Sequence, residues 1–139
     1  MIYIAESNGF ITDLSFSPVL EATHVETGLL TQAKSELSEY FDKKRKTFDL
    51  PIALRGTAFQ MSAWRVLQEI PYGKTISYKE QAALAGNAKA VRAIGNANGK
   101  NPISIIVPCH RVIGTSGSLT GYGGGIENKR YLLELERSS

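Results

Sequence analysis

The chain contains one cysteine, Cys109, and one of its two histidines, His110, follows it directly. A thiolate is a nucleophile, and a nearby proton acceptor or positive charge favours its formation. The alternative is a buried cysteine that acts as a small hydrophobic residue, which is a common role for a lone cysteine. Because successive strand residues point to opposite faces, the two side chains can act together only if the chain turns at Pro108 or a water bridges them.

The residues before this pair predict how it is held. The run from Ile103 to Val107 is short, mostly apolar and mostly β-branched, and a proline flanks it on each side. This pattern predicts a buried strand over residues 103–107 that is stopped by Pro108. Cys109 would then lie where a core strand emerges.

A carboxylate near the end of the chain could complete the site. The last predicted helix covers residues 126–136, and Glu136 lies at its C-terminal end, where a negative charge opposes the helix dipole. Such a carboxylate is either solvated or paired. Pairing with His110 would orient the imidazole in a Cys-His-Glu relay.

The composition limits the possible classes of protein. With 139 residues and 42% hydrophobic content, the chain can form one main core with a small appended lobe. A single cysteine excludes an internal disulfide and a cysteine-based zinc site, and His24 has no second ligand candidate at a useful spacing. We therefore expect no metal and no cofactor. The chain has no signal-peptide pattern and no apolar stretch that could span a membrane, which predicts a soluble cytoplasmic protein.

The charges are unevenly distributed. Residues 1–50 carry five basic and eight acidic side chains, a net charge of −3, whereas residues 81–126 carry four basic and no acidic side chains, a net charge of +4. A segment of this length without a carboxylate suggests an anionic partner. The alternative is a segment rich in Gly and Ala that lacks acidic residues by chance.

The first 50 residues predict a small α/β lobe. Two alternating apolar runs flank Asn8-Gly9, which is a strong β-hairpin signal over residues 1–17, and a third strand is expected between Val19 and Val25. From Thr27 the apolar period becomes helical and continues to Phe41. We interpret His24 as a structural histidine of this lobe.

Helical signals dominate the rest of the chain. Two capping boxes, Thr57 with Gln60 and Ser77 with Glu80, open a helix that ends near Ile70 and a short helix over residues 78–85. A further helix is expected over residues 88–98, directly after a Gly-Asn turn. Together with the short helix over residues 78–85 it forms a helix-turn-helix signature. We expect Trp64 to serve in packing.

The helix over residues 88–98 has an unusual surface. Apart from its core positions, it offers Lys89 and Arg92 and otherwise mostly small residues such as Ala93 and Gly95. A helix is about 10 Å across and the minor groove only about 6 Å wide, so a helix that docks there must exclude bulky side chains. We therefore interpret these four residues as a DNA-binding face with little sequence preference. The alternative is an Ala-rich helix packed against another helix, which would leave Arg92 in need of a partner.

Several motifs beyond residue 55 occur together in one order. They are Gly56-Thr57-Ala58-Phe59-Gln60, Ile70-Pro71-Tyr72-Gly73, Ile76-Ser77-Tyr78, Val91-Arg92-Ala93-Ile94-Gly95, Asn101-Pro102, Val107-Pro108-Cys109-His110-Arg111-Val112, Gly121-Tyr122 and Lys129 to Leu133. In these motifs the chain resembles the O6-alkylguanine-DNA alkyltransferases, also called methylated-DNA–protein-cysteine methyltransferases. The resemblance is dense over residues 56–136 and loose over residues 1–50. This chain lacks the cysteines of the zinc site that some members carry in that lobe.

The resemblance implies a direct transfer reaction. Cys109 would take the alkyl group from O6 of guanine by an SN2 displacement, and His110 would act as base through a water, oriented by Glu136. Because the alkylated oxygen is out of reach inside a duplex, the nucleotide must be flipped out. Tyr78 would help to rotate it and would donate a hydrogen bond to guanine N3. Arg92 would fill the gap left in the base stack.

The resemblance also implies a pocket and a partner. Asn101 would brace the turn between the recognition helix and the active site. The backbone at Cys109, Val112 and Gly123, with Tyr122 nearby, would line the base pocket. The partner would be double-stranded DNA containing O6-alkylguanine, with O4-alkylthymine left open, and the protein would be a monomer. Water does not cleave the thioether product and no second cysteine can resolve it, so each chain would act once.

The expected fold is therefore α/β (α+β). A small N-terminal lobe of a β-hairpin and a helix would cover residues 1–50. A mainly helical C-terminal domain with a winged-helix-like helix-turn-helix would cover residues 51–139. Two other functions stay open at this point: a thiol hydrolase that uses Cys109, His110 and Glu136, and a non-catalytic module that binds alkyl lesions. The hydrolase would turn over and would need an oxyanion hole, whereas lesion-binding members of the family replace the cysteine.

Overall fold

The computed structural model describes residues 2–16, 26–117, 119, 122 and 124–138. These residues form a mixed α/β fold, as the sequence predicts, with two separate two-stranded sheets. None of the described helices is long and apolar enough to cross a membrane. The elements in chain order are β1 (Tyr3–Ser7), β2 (Phe10–Ser15), α1 (Gly28–Phe41), α2 (Ala58–Gln68), β3 (Ile76–Ser77), α3 (Tyr78–Leu84), α4 (Val91–Gly99), a 3₁₀ turn (Cys109–Arg111), β4 (Val112–Ile113) and α5 (Ile126–Arg137).

The predicted N-terminal hairpin is confirmed, and it holds a distant part of the chain. β1 and β2 pair antiparallel around Asn8 and Gly9, whose φ angles of 54° and 83° suit a tight hairpin turn. On the free edge of β2, the backbone N–H of Leu14 donates to Pro102 O at 2.9 Å, and Ser104 N–H donates to Leu14 O at 2.9 Å. The hairpin therefore anchors the segment that leads to Cys109.

The strand predicted over residues 103–107 is wrong. Ile103 forms only a single bridge to Leu14, and the chain then turns, with Ile105 at a φ of 72°. The cause is the Asn101 side chain, whose Oδ1 accepts from Ile103 N–H at 3.0 Å and whose Nδ2 donates to Val107 O at 2.8 Å. These two bonds close the backbone on itself and override the β preference of the branched residues. Ile103, Ile105 and Val107 are nevertheless buried, as predicted, whereas Ile106 is only partly buried.

The helix predicted from Thr27 is confirmed as α1, and the Thr27 hydroxyl caps it by accepting from Leu30 N–H. Its buried face includes Leu37 and Tyr40. The strand expected between residues 19 and 25 and the structural role of His24 lie outside the described residues. The division of the chain at residue 50 stays a prediction.

Both predicted capping boxes are present, and they start α2 and α3. The next helix, α4, begins at Val91, three residues later than predicted, so Lys89 precedes it. The packing role of Trp64 is confirmed, because its ring is buried and its Nε1–H donates to Ala97 O at 2.9 Å. β3 and β4 pair in parallel and join the start of α3 to the residues after Cys109.

A buried pair of amides locks the three central helices together. Gln81 on α3 donates from Nε2 to Asn98 Oδ1 at 2.8 Å, and Asn98 on α4 donates from Nδ2 to Gln81 Oε1 at 2.7 Å. The same Nε2 also donates to Ala63 O on α2 at 3.2 Å. Both side chains are almost fully buried. The orientation of α4 thus depends on a closed polar contact inside an apolar core.

This contact predicts that Gln81→Met lowers stability. The change keeps the side-chain length but leaves the Asn98 amide and Ala63 O buried without their partner, which typically costs about 1–3 kcal/mol per unsatisfied group. Urea unfolding should therefore give a lower free energy of unfolding. The double variant Gln81→Met with Asn98→Leu removes both amides and should recover part of that loss. If the single variant were as stable as the parent, the amide pair would not stabilise the helices.

Candidate active site

Cys109 begins the 3₁₀ turn directly after Pro108, so the chain turns where the pairing of Cys109 with His110 requires it. The thiol is buried, and its residue is only 6% exposed. Burial raises the pKa of the Cys109 thiol, while the Asn101 amide and the charge of Lys129 act in the opposite direction. The resting side chain is therefore a thiol and not a thiolate. A base must remove its proton before it can act as a nucleophile.

His110 and Glu136 form the contact that the sequence analysis suggested. His110 is fully buried, and its Nε2 lies 2.7 Å from Glu136 Oε2. Burial lowers the pKa of His110, and Arg111 and Lys129 lower it further, whereas Glu136 raises it. A neutral imidazole with its proton on Nε2 donates to Glu136 and leaves a lone pair on Nδ1. Among the described residues, Nδ1 has no hydrogen-bond partner, so it is available to accept a proton.

Glu136 is ionised although it is buried. Burial raises its pKa, but hydrogen bonds from His110, Arg111 and Tyr40 outweigh this effect and hold the pKa at about 2. Arg111 donates from Nε to Oε1 at 2.8 Å and from Nη2 to Oε2 at 3.0 Å, and Tyr40 donates to Oε2 at 2.6 Å. The sequence analysis missed both partners. Arg111 lies in a quoted motif, whereas no local signal marks Tyr40.

Lys129 is a second charged residue that the sequence analysis did not assign to the site. It lies on α5 and is only 1% exposed. Its Nζ donates to the hydroxyl of Tyr78, at the start of α3, at 3.2 Å. Burial lowers the pKa of Lys129, and Cys109 counteracts this. Lys129 therefore bonds to the Tyr78 hydroxyl and also interacts electrostatically with the thiol.

A cavity of about 180 Å³ opens at Cys109. The hairpin contributes Phe16, whose ring lies edge-on to Tyr122 with 6.2 Å between the ring centroids. Gly124 has to be small, because a Cβ there would lie 2.5 Å from Phe16 Cδ2 and 2.8 Å from Tyr122 Cε2. The other residues that line the cavity are Ser15, Asn98, Gly99, Asn101 and Ser104.

Two residues that were predicted to line the base pocket, Val112 and Gly123, are not among the described residues that line this cavity. Val112 is buried in β4, three positions after Cys109, and its role at a base pocket stays a prediction. Gly123 lies outside the described residues. Tyr122 is buried, as a pocket wall requires, and burial raises the pKa of its hydroxyl above its usual range.

The outer face of α4 is open. Arg92 and Ala93 are exposed, as is Lys89 just before the helix, and a Cβ added at Gly95 would meet no atom within 4 Å. The opposite face, with Ile94 buried, packs into the core. The inner face packs against α2 and α3, as the alternative of a helix packed against another helix requires, and the role of the exposed outer face in docking stays a prediction. In the described part of the chain, no group of three or more His, Cys, Asp or Glu side chains could hold a metal ion.

Two family models match the chain. The model of the 6-O-methylguanine DNA methyltransferase DNA binding domain matches residues 58–138, and that of the 6-O-methylguanine DNA methyltransferase ribonuclease-like domain matches residues 1–54. The chain belongs to the 6-O-methylguanine DNA methyltransferase family. The resemblance inferred from the motifs is thereby confirmed, and it extends over the N-terminal lobe as well.

Similar proteins and solved structures agree with this assignment. The constitutive methylated-DNA–protein-cysteine methyltransferase of Bacillus subtilis is 47% identical over 148 residues, which cover 99% of this chain and 90% of that protein. The crystal structure of Mycobacterium tuberculosis OGT in complex with DNA is 48% identical, with a TM-score of 0.88, and covers 99% of this chain and 86% of its own. S. pombe Atl1 in complex with damaged DNA containing O6-carboxymethylguanine is 31% identical, with a TM-score of 0.52, over 59% of this chain and 78% of its own.

The lowered pKa of Glu136 predicts a pH-dependent stability. The ordinary pKa of a glutamate side chain is 4.5 and that of Glu136 in the fold is about 2. The ionised carboxylate with its partners therefore contributes about 3 kcal/mol to stability above pH 4.5, and this contribution is lost as the pH falls towards 2. Glu136→Gln removes it and should lower the free energy of unfolding most at neutral pH. The difference from the parent, measured by urea unfolding, should shrink between pH 4.5 and 2.

The matched control for this measurement is Glu134→Gln, an exposed position on the same helix. It changes the net charge by the same amount without touching the buried cluster. A pH-independent difference for Glu136→Gln, or an equal effect of Glu134→Gln, would contradict the assignment of the acid-sensitive contribution to Glu136.

Proposed function

We propose that this protein repairs double-stranded DNA by moving an alkyl group from O6 of guanine onto Cys109, once per chain. The observation that carries the proposal is the arrangement around Cys109. A buried thiol opens on a cavity of about 180 Å³, and the adjacent neutral histidine has Nε2 on a carboxylate and Nδ1 free of described partners. Family membership supports the same reaction, because the residues that match the DNA binding domain model include Cys109 and His110.

The transfer needs a base for the thiol. His110 Nδ1 takes the Cys109 proton through a bridging water, and the charge of Glu136 stabilises the resulting imidazolium. The thiolate sulfur then attacks the alkyl carbon. The S–C bond forms as the C–O6 bond breaks, and the electron pair of that bond stays with the guanine. In-line attack requires the base to be held firmly in the cavity.

The leaving guanine takes up negative charge as the C–O6 bond breaks, and a proton or a hydrogen bond must stabilise this charge. Tyr78 can donate its hydroxyl proton to guanine N3, and Lys129, whose Nζ lies 3.2 Å from the Tyr78 oxygen, stabilises the phenolate-like charge that develops. The buried ammonium also favours the Cys109 thiolate during the attack. These two residues would act on opposite ends of the same displacement.

DNA binding is assigned to the open face of α4. Its small residues can enter a minor groove, and Arg92 extends from it where it can occupy the space of a flipped nucleotide. Lys89 lies beside it and is free to contact phosphate.

Action as a monomer in the cytoplasm and activity on O4-alkylthymine are further parts of this proposal. The single cysteine fits a reducing compartment.

Loss of the nucleophile should separate binding from transfer. Cys109→Ala should retain affinity for duplex DNA containing O6-methylguanine but transfer no methyl group. Mass spectrometry of the parent with DNA in excess should give a gain of one methyl group per chain, located on Cys109. Transfer by Cys109→Ala would refute the nucleophile assignment, and several transfers per parent chain would favour the turnover expected of a thiol hydrolase.

Base flipping predicts a substrate-dependent effect of Arg92→Ala. Extruding a base costs a few kcal/mol, so losing the side chain that fills the gap should slow transfer from duplex DNA by about tenfold or more, at about 1.4 kcal/mol per tenfold. Transfer from a free O6-alkylguanine base should change less than about twofold, because no stack has to be opened. Single-turnover rates at saturating protein measure both.

Lys89→Ala is the matched control, since it removes one positive charge from the same surface. It should weaken DNA binding and reduce its salt dependence, as expected for a phosphate contact, but leave the saturated rate on duplex DNA unchanged. Equal losses for Arg92→Ala on duplex and free base would mean that Arg92 does not support flipping.

A further inference from the structure

The hydroxyl of Tyr40 reaches the active site from the N-terminal lobe. Tyr40 lies on α1, 96 positions before Glu136, and donates to Glu136 Oε2 at 2.6 Å in a fully buried contact. The residues matched by the DNA binding domain model begin only at residue 58. The carboxylate that orients His110 therefore takes one of its hydrogen bonds from outside the domain that carries the cysteine.

The position of this hydroxyl is fixed by aromatic packing. Phe41 and Phe48 lie with their ring centroids 5.4 Å from that of Tyr40, and Tyr72 lies at 6.1 Å and nearly perpendicular. Burial raises the pKa of Tyr40 far above its usual range, and the charge of Glu136 adds to this. The phenol therefore stays protonated, and its one proton points to the carboxylate.

Glu136 Oε2 is shared by three donors. Tyr40 lies at 2.6 Å, His110 Nε2 at 2.7 Å and Arg111 Nη2 at 3.0 Å. Donors to one oxygen compete for the same charge, so each weakens the hold of that oxygen on the others. The tyrosine hydroxyl thus reduces the negative charge that His110 meets, and a weaker charge stabilises the imidazolium less.

The other groups that face His110 act on its pKa through their own charges and do not weaken the charge of Glu136 as the Tyr40 hydroxyl does. On α5, Glu136 raises the pKa of His110 and Lys129 lowers it, and Arg111 on the 3₁₀ turn lowers it as well. From α1 comes Tyr40, the neutral donor of this set. Removing its hydroxyl leaves every formal charge in place and changes only how strongly Glu136 attracts the proton of His110.

We propose that Tyr40 is a positioning residue for alkyl transfer: its hydroxyl fixes Glu136 and moderates its charge, so that His110 stays neutral and keeps Nδ1 free to accept the thiol proton. The inference rests on the proposed function, since it assigns His110 as the base. It gives the N-terminal lobe a part in the chemistry, beyond supporting the fold.

Tyr40→Phe tests this, because it removes the hydroxyl and keeps the ring. The pH at which the rate of single-turnover transfer from duplex DNA falls on the acid side should move up by about half a unit to one unit, so transfer should be about threefold to tenfold slower at acid pH, where His110 is mostly protonated, and less affected near pH 7. The direction follows from the charge: without the tyrosine donor, Glu136 holds the imidazolium more strongly, so His110 keeps its proton to a higher pH.

Nuclear magnetic resonance of the histidine ring gives a readout that does not need activity. The chain has two histidines, so a His24→Gln background leaves His110 as the only titrating imidazole. The midpoint of its titration should rise in Tyr40→Phe by the same amount as the midpoint of the acid limb, the part of the pH–rate profile where the rate falls at low pH. If the parent transferred no alkyl group, the proposed function would fail, yet the titration would still test the contact.

Phe48→Leu is the control for packing, since it loosens the aromatic cluster around Tyr40 but leaves the hydroxyl. It should lower the melting temperature without moving the acid limb. Replacing Tyr40 by a ring-fluorinated tyrosine, a stronger donor, should move the limb to lower pH. An unchanged limb and an unchanged His110 midpoint in Tyr40→Phe would overturn the proposal, as would an equal shift in Phe48→Leu.

Discussion

The buried negative charge of Glu136 is the constraint on which the rest of the site depends. Moving a carboxylate out of water costs several kcal/mol unless charges and hydrogen bonds compensate for it. Arg111, His110 and Tyr40 provide this compensation, and they come from the 3₁₀ turn and from α1, whereas the carboxylate is on α5. The three elements can only pack where these donors converge. The same hydrogen bonds to Glu136 fix the tautomer of His110 beside Cys109. The contacts that stabilise the fold therefore also prepare the histidine to act as a base.

Two further polar contacts connect the residues around Cys109 to helix α4. The Asn101 side chain closes the turn that leads to Cys109, and Asn98, three positions earlier at the end of α4, is held by Gln81 in the helical core. Asn98 and Asn101 also line the cavity at Cys109. The helix proposed to enter the minor groove and the pocket proposed to receive the base therefore share a wall.

Local signals in the sequence were sufficient for most of the fold. The Asn-Gly hairpin, the two capping boxes and the helical stripes depend on neighbouring residues only, and the structure contains all of them. The strand over residues 103–107 could not be excluded in this way, because the side chain of Asn101 decides that segment. Glu136 was found because its charge conflicts with the helix dipole. Tyr40 and Lys129 were not found, since a buried polar group becomes apparent only when distant elements meet.

Burial and the raised pKa of the Cys109 thiol would limit side reactions in the proposed mechanism. A thiolate in the free protein would react with small electrophiles and oxidants, and if each chain acts only once, as proposed, such a reaction would inactivate it. Under the proposed mechanism, a protonated and buried thiol reacts only after a flipped base fills the cavity and excludes water, which strengthens its electrostatic interactions with His110 and Lys129. The proposed product would carry its added alkyl group in the cavity that Asn98 of α4 lines. Extra volume in a packed site typically costs about 1–3 kcal/mol, and under this proposal the strain would fall on the contacts that position α4.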